Sequence, residues 1–202
     1  MDEANVTTEE AVELLRAGNA RYVSGDTDGP NRSLKRRKDT SANGQRPFVA
    51  ILSCADSRVP VEILFDRGIG DIFSVRNAGN ISGINELGSI EYAADHLGVP
   101  LIVILGHSQC GAVKSVVDGV KPEGSLIAVA EAIMPALERT DRFRDSYEGV
   151  SFVDLVAKEN VMVQTERMIE SSKILKRAVR KRTCEIRGAF YDIEHGSVTW
   201  ME

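Results

Sequence analysis

The sequence predicts an α/β domain: a mostly parallel central β-sheet flanked by helices, with an antiparallel C-terminal edge strand and an N-terminal helical arm. Three observations carry that prediction. Short apolar runs such as Phe48-Val49-Ala50-Ile51-Leu52 and Leu101-Ile102-Val103-Ile104-Leu105 have strand length without polar alternation, as strands buried on both faces do. Segments of helical periodicity separate them, and strands alternating with helices imply parallel pairing through right-handed crossovers. The last two extended runs are joined by a short turn, which makes them a hairpin.

In chain order, Thr7-Thr8-Glu9-Glu10 has the capping-box pattern, Thr7 capping and Glu10 reaching back. Behind it Ala11, Leu14, Leu15, Gly18 and Tyr22 share one face of a helix reaching about Val23. Gly18 is unfavourable there, since Gly costs about 1 kcal/mol against Ala in a helix interior. Residues 24–46 turn to Gly, Asp, Asn, Ser, Lys and Arg and read as a long polar connection, over the surface or onto a partner subunit. The first helix is therefore expected to be an arm rather than a core element. This divides the chain into residues 1–46, arm and connection, and 47–202, a single α/β domain.

Within that domain, residues 47–53 read as the first strand, 60–65 as a short helix and 71–75 as the second strand. Residues 85–97 form a helix ended by Gly98 and Pro100, and 101–105 the third strand. A helix opens at Cys110 and runs to about residue 118; 123–139 and 151–181 are helical, the latter as one long helix. Residues 185–191 and 197–200 make the terminal hairpin.

At 202 residues the chain suits one well-packed domain, and 43% hydrophobic with 27% charged residues is ordinary for a soluble protein. A net charge of −5 argues against nucleic acid or an anionic membrane as partner, and Lys35-Arg36-Arg37-Lys38 reads as a solvated face. No run reaches the length of a membrane span, and the acidic start Met1-Asp2-Glu3-Ala4-Asn5 lacks the apolar core of a secretory signal. Three Cys do not make a disulfide framework, so a cytoplasmic location, where thiols stay reduced, is expected.

The chemistry concentrates at two strand ends. Cys54-Ala55-Asp56-Ser57-Arg58 follows the first strand directly, and Gly106-His107-Ser108-Gln109-Cys110-Gly111 follows the third. Ligands of an open parallel sheet bind outside the carboxyl ends of its strands. Cys110, three residues past His107, is expected in the first turn of a helix, where the dipole and free N–H groups favour the thiolate. Two Cys and one His leave a tetrahedral Zn²⁺ with one position open, the arrangement of catalytic rather than structural zinc. Cys184 reads as a buried thiol, His96 and His195 as surface residues, and Trp200 as a packing residue. A phosphate loop is excluded at Gly106–Gly111, because Ala112 and Val113 intervene before Lys114-Ser115.

Together with Arg76-Asn77-Ala78-Gly79-Asn80, Ser89-Ile90-Glu91-Tyr92 and Gly188-Ala189-Phe190-Tyr191-Asp192-Ile193, these motifs make residues 11–202 resemble the β-class carbonic anhydrases. That resemblance implies Cys54, His107 and Cys110 as ligands of one Zn²⁺ per subunit, with Asp56 and Arg58 as a catalytic dyad in which Arg58 holds the Asp56 carboxylate off the metal. In some members that Asp closes the site as a fourth ligand. The implied reaction is reversible hydration of CO₂ by zinc-bound hydroxide, giving bicarbonate and a proton. Two thiolates cancel the charge of the ion, so its acidity should be weaker than with neutral ligands. Gln45, Phe73, Ala78, Tyr92 and Gly111 match the family's substrate pocket, to which Gln, Phe and Tyr come from a neighbouring subunit. A homodimer or homotetramer with the active site at the subunit interface is thus implied. Ile51 stands where bicarbonate-inhibited bacterial members carry Trp, which with Gln45 favours a plant-type-like, always-open site.

Two alternatives share these residues. Hydrolases of carbonyl sulfide or carbon disulfide resemble this family and keep the same ligands on a linear, CO₂-like substrate. A non-catalytic protein would use the zinc structurally, to hold an oligomer.

Overall fold

A computed structural model describes residues 6–146 and 151–201; the acidic residues 1–5 read above lie outside them. The elements run α1 (Thr8–Ser24), α2 (Leu34–Asn43), β1 (Val49–Cys54), α3 (Val61–Leu64), β2 (Ile72–Asn77), α4 (Ile84–Asp95) and β3 (Leu101–His107). They continue α5 (Gly111–Val117), α6 (Leu126–Thr140), α7 (Phe152–Ser171), α8 (Lys173–Arg180), β4 (Glu185–Tyr191) and β5 (Val198–Met201).

One sheet has the order β2-β1-β3-β4-β5, parallel except for β5, which pairs antiparallel with β4. Every residue of β1 and β3 is buried, which is why neither run alternates with polar residues. Odd-numbered positions face one core layer: Val49, Ile51, Val103 and Leu105 pack with Ala11, Leu15, Leu64 and Phe65. Even-numbered positions face the other, where Ala50, Leu52, Ile102 and Ile104 meet Ile90, Val161, Met168 and Leu175.

Three expectations are corrected. The first helix is not an arm standing off the core: Ala11, Val12 and Leu15 of α1 are buried against the sheet. Gly18 is the reason it fits, since a Cβ there would lie 1.8 Å from the Phe65 carbonyl oxygen. The interior Gly that disfavours the helix locally is what lets it approach α3. Asn19 adds to the seam, donating to the carbonyls of Leu64 and Gly196 and accepting from the Val198 N–H.

The polar stretch 24–46 is not a plain connection, because it contains α2. Ser33 caps that helix by accepting from the Arg36 N–H, and Arg36 Nε ties it to the Ile69 carbonyl at 2.8 Å. None of its residues is buried, so no apolar periodicity announced it. Residues 151–181 are two helices rather than one. Ser172, extended at φ −114° and ψ 117°, ends α7 and caps α8 through the Leu175 N–H.

Candidate metal centre

The chain passes from β1 to β2 on one side and then to β3 on the other, so the order of the sheet reverses between β1 and β3. At such a switch point the crossovers leave in opposite directions and open a crevice at the strand ends. Cys54 is the last residue of β1 and His107 the last of β3, both at that crevice. Cys110 is the N-cap of α5, one position before the helical turn expected for it. The possible ligand atoms of Cys54, His107 and Cys110 all lie within 4.8 Å of one another, and the three residues are buried.

The tautomer of His107 follows from its surroundings. Its Nδ1 is 2.8 Å from the Ser108 carbonyl oxygen, which can only accept, so Nδ1 carries the proton. Nε2 is left with its lone pair, buried and without a hydrogen-bond partner among the described residues. A buried unsatisfied acceptor beside two thiols is costly by itself, and a metal ion bound by all three would satisfy it. Two sulfurs and an imidazole nitrogen are the donor set of Zn²⁺, so these residues fit that ion.

The side chains of Cys54 and Cys110 are in hydrogen-bond contact, which pushes the Cys54 pKa down and the Cys110 pKa up. The Cys54 pKa is lowered chiefly by the contact with the Cys110 side chain, against burial, and further by the neighbouring His107 side chain and by the N–H groups of Gly79 and Asp56, these two each 3.4 Å from Sγ. The same contact with Cys54, and burial, push Cys110 up. The loop between His107 and Cys110 is tied on three sides. Ser108 N–H donates to the Tyr191 carbonyl, Ile193 N–H donates to Ser108 Oγ, and Gln109 N–H donates to Asp154 Oδ1 at 2.8 Å. Gln109 itself is left-handed, at φ 56°.

Asp56 and Arg58 form a bidentate pair at the lip of the trio. Arg58 Nε reaches Oδ1 at 3.0 Å and Nη2 reaches Oδ2 at 2.8 Å, while the Arg58 backbone N–H also donates to Oδ1. These bonds hold the Asp56 pKa down to about 2. Arg76 fastens the same loop from β2, donating to the carbonyls of Cys54 and Asp56 at 3.1 and 2.7 Å.

Of the anticipated pocket residues, Phe73 of β2 and Tyr92 of α4 come together, their ring centroids 6.1 Å apart, with Tyr92 47% exposed. Gln45 stands exposed on the stretch joining α2 to β1, and Ala78 and Gly111 are exposed beside Gly79 and Cys110. Arg76, Asp154, Asn160 and Gln164 were not singled out as site residues. Arg76 sits in a quoted motif, and two uncharged amides inside the apolar stripe of α7 were a visible signal; Asp154 reads as an ordinary first-turn acid.

Known proteins resemble this chain in sequence and in fold. The family model described as carbonic anhydrase matches residues 49–198. A Mycobacterium tuberculosis protein named carbonic anhydrase 2 is 37% identical over 190 residues, covering 92% of this chain and 89% of its own length. A carbonic anhydrase of Mycolicibacterium smegmatis is 36% identical over 192 residues, 93% of this chain and 90% of its own. Among solved structures, one described with two tetrameric β-carbonic anhydrases from Sordaria macrospora superimposes with a TM-score of 0.76 at 27% identity, covering 83% of this chain and 87% of its own.

Proposed function

The chain belongs to the carbonic anhydrase family, in its β class, and from that membership we propose that it binds one Zn²⁺ on Cys54, His107 and Cys110 and hydrates CO₂ reversibly to bicarbonate and a proton. The observation that carries the metal assignment is the buried trio with the unpartnered lone pair of His107 Nε2. When bound, zinc supplies the Lewis acidity that makes water nucleophilic near neutral pH; the value of about 7 for such water is established for the three-histidine carbonic anhydrases, a different class.

The chain's own residues do the rest. Cys54, His107 and Cys110 would supply three ligands to the ion and leave room for solvent or substrate as a fourth. Asp56, ionised throughout the neutral range, is an acceptor at the lip. Its Oδ1 is occupied by two Arg58 donors and Oδ2 by one, so Oδ2 keeps a lone pair with which to orient the attacking water. Arg58, also 3.4 Å from the Gln109 carbonyl oxygen, spans the two ligand loops and keeps the carboxylate turned toward itself. The proton released leaves to solvent or buffer. In this reading residues 47–202 are the catalytic domain, with α1 and α2 of the preceding segment packed against it.

The active unit is an oligomer, a dimer or a tetramer, with Gln45, Phe73 and Tyr92 completing a neighbour's pocket lined by Ala78 and Gly111. Half-exposed Tyr92 against Phe73, and Ile84 82% exposed at the start of the same helix, support a covered surface here. Among the described residues no helix is long and apolar enough to cross a membrane, and a cytoplasmic location is part of the proposal.

The names carried by the relatives favour CO₂ over a sulfur gas. Stopped-flow CO₂ hydration run beside H₂S release from carbonyl sulfide tests that choice: rapid hydration is expected, and COS turnover with negligible hydration would overturn it. Cys54→Ser should lose zinc and activity together on metal analysis; full zinc occupancy would refute the ligand assignment.

A further inference from the structure

Asn160 and Gln164 lie one turn apart on α7, both fully buried in a helix whose neighbouring core positions are Val156, Val161 and Val163. Burying two amides costs stability unless each polar atom finds a partner, and apolar residues would serve the packing of α7 without that cost. Here every one is partnered. Asn160 Nδ2 donates to the Gly79 carbonyl at 2.9 Å, and its Oδ1 accepts from Gln164 Nε2 at 3.0 Å. Gln164 Nε2 also donates to the Ala132 carbonyl at 2.9 Å, while its Oε1 accepts from the N–H and hydroxyl of Ser82 at 2.9 and 3.1 Å.

What these bonds grip is the segment from Gly79 to Ser82. It holds two consecutive left-handed residues, Gly79 at φ 76° and Asn80 at φ 44°, a conformation that persists only where the surroundings impose it. Gly79 suits that φ, at which a side chain would be strained, and a Cβ there would also force Ile133 Cδ1, 2.8 Å away, to shift. The N–H and the carbonyl of Gly79 flank one Cα. They lie in adjacent peptide planes with φ and ψ between them, so holding the carbonyl and Ser82 together keeps the turn in the left-handed φ that points the N–H at Cys54 Sγ from 3.4 Å.

We propose that Asn160 and Gln164 are positioning residues of the metal centre: through Gly79 they aim a backbone N–H at the Cys54 sulfur and so set how strongly that thiolate donates to zinc. This rests on the assignment of Cys54 as a zinc ligand. A hydrogen bond to a thiolate withdraws electron density from sulfur, leaving the metal a stronger Lewis acid. With two thiolates in the trio, that correction counts for more than it would among neutral ligands. Partners of this outer kind change metal affinity or activity by about 10- to 100-fold when removed.

The test uses the full chain loaded with Co²⁺, whose thiolate-to-cobalt charge-transfer band reports sulfur donation directly. Asn160→Ala should move that band to longer wavelength, shift the rising limb of the pH–kcat/KM profile to higher pH, and so lower kcat/KM near neutral pH about 10- to 100-fold. Asn160→Leu, which keeps the volume and shape without the donor, carries the same test should Asn160→Ala fail to fold. Met168→Ala opens a cavity in the same helix on the side packed against Leu52 and Ile104; it should lower the melting temperature and leave the band in place. A wild-type band preserved in the Asn160 variants, or shifted equally by Met168→Ala, overturns the proposal while leaving the zinc ligands standing. Absence of a charge-transfer band in the wild type overturns the ligand assignment and this inference with it.

Discussion

Arg58 holds both carboxylate oxygens of Asp56, Nε on Oδ1 at 3.0 Å and Nη2 on Oδ2 at 2.8 Å, only two residues along the same loop. A guanidinium fork fixes both the charge and the rotation of its partner, which a single contact would not. Exchange of Asp56 for Asn keeps the shape but presents an NH₂ to the fork, so the orientation is lost. Asp56→Asn should fold and hold zinc like the wild type, with kcat/KM for CO₂ hydration reduced about 10- to 100-fold. Stopped-flow kinetics with metal analysis of the same sample decide it; wild-type turnover would remove Asp56 from the reaction.

The pH dependence follows from the same pair. The folded pKa of Asp56 is depressed to about 2, so what the contact contributes to stability is present above the ordinary carboxylate range and lost as pH falls through about 2. Arg58 is nearly half exposed, and that contribution is accordingly small. Across neutrality the carboxylate charge is constant. Any limb in the rate profile there belongs to another group, so kcat/KM should rise on the alkaline side of neutral, and the residual activity of Asp56→Asn should keep the same limb. A profile flat from about pH 6 to 9 contradicts this assignment.

The N-terminal helix offers a stability test. Leu15 is fully buried in the layer that also holds Ile51, Val103 and Phe65. Leu15→Ala should destabilise the chain by about 2–5 kcal/mol, the range for a buried Leu truncated in a packed core. Denaturant unfolding measures it. A loss below about 0.5 kcal/mol, the scale of a surface substitution, would restore the helix to the role of an arm.

Leu15 and Cys54 also show what could be read in advance and what could not. The strands β1 and β3 were legible because burial on both faces leaves an unbroken apolar run, and Cys54 and His107 because each closes such a run. The depth of α1 was not, since it depends on Gly18 meeting the Phe65 carbonyl, a contact between residues far apart in the chain. α2 was hidden for the opposite reason: a helix with no buried residue has no apolar face to reveal it. Asn160 and Gln164 were visible as oddities in α7, yet only the fold brings them to Gly79 and Ser82.

Asp154 shows how a residue without a motif can matter to the ligands. Its Oδ1 accepts the N–H of Gln109 at 2.8 Å, from the first turn of α7. Gln109 lies between His107 and Cys110 at φ 56°, a conformation that a side chain with a Cβ adopts at a cost. Removing the acceptor frees that turn and loosens the spacing of the two proposed ligands it joins. Asp154→Ala should release zinc to a chelator about 10-fold faster than the wild type, in the range for lost outer partners of a metal site. Asp154→Asn keeps an acceptor oxygen at the same reach and should recover most of the difference. Asp154 also complements the helix dipole, so both variants lose about 0.3–1 kcal/mol of stability whether or not the loop matters. The contrast between them in zinc release, rather than in melting, is therefore the measurement that counts. Equal and wild-type release rates in both would assign Asp154 to the helix end alone.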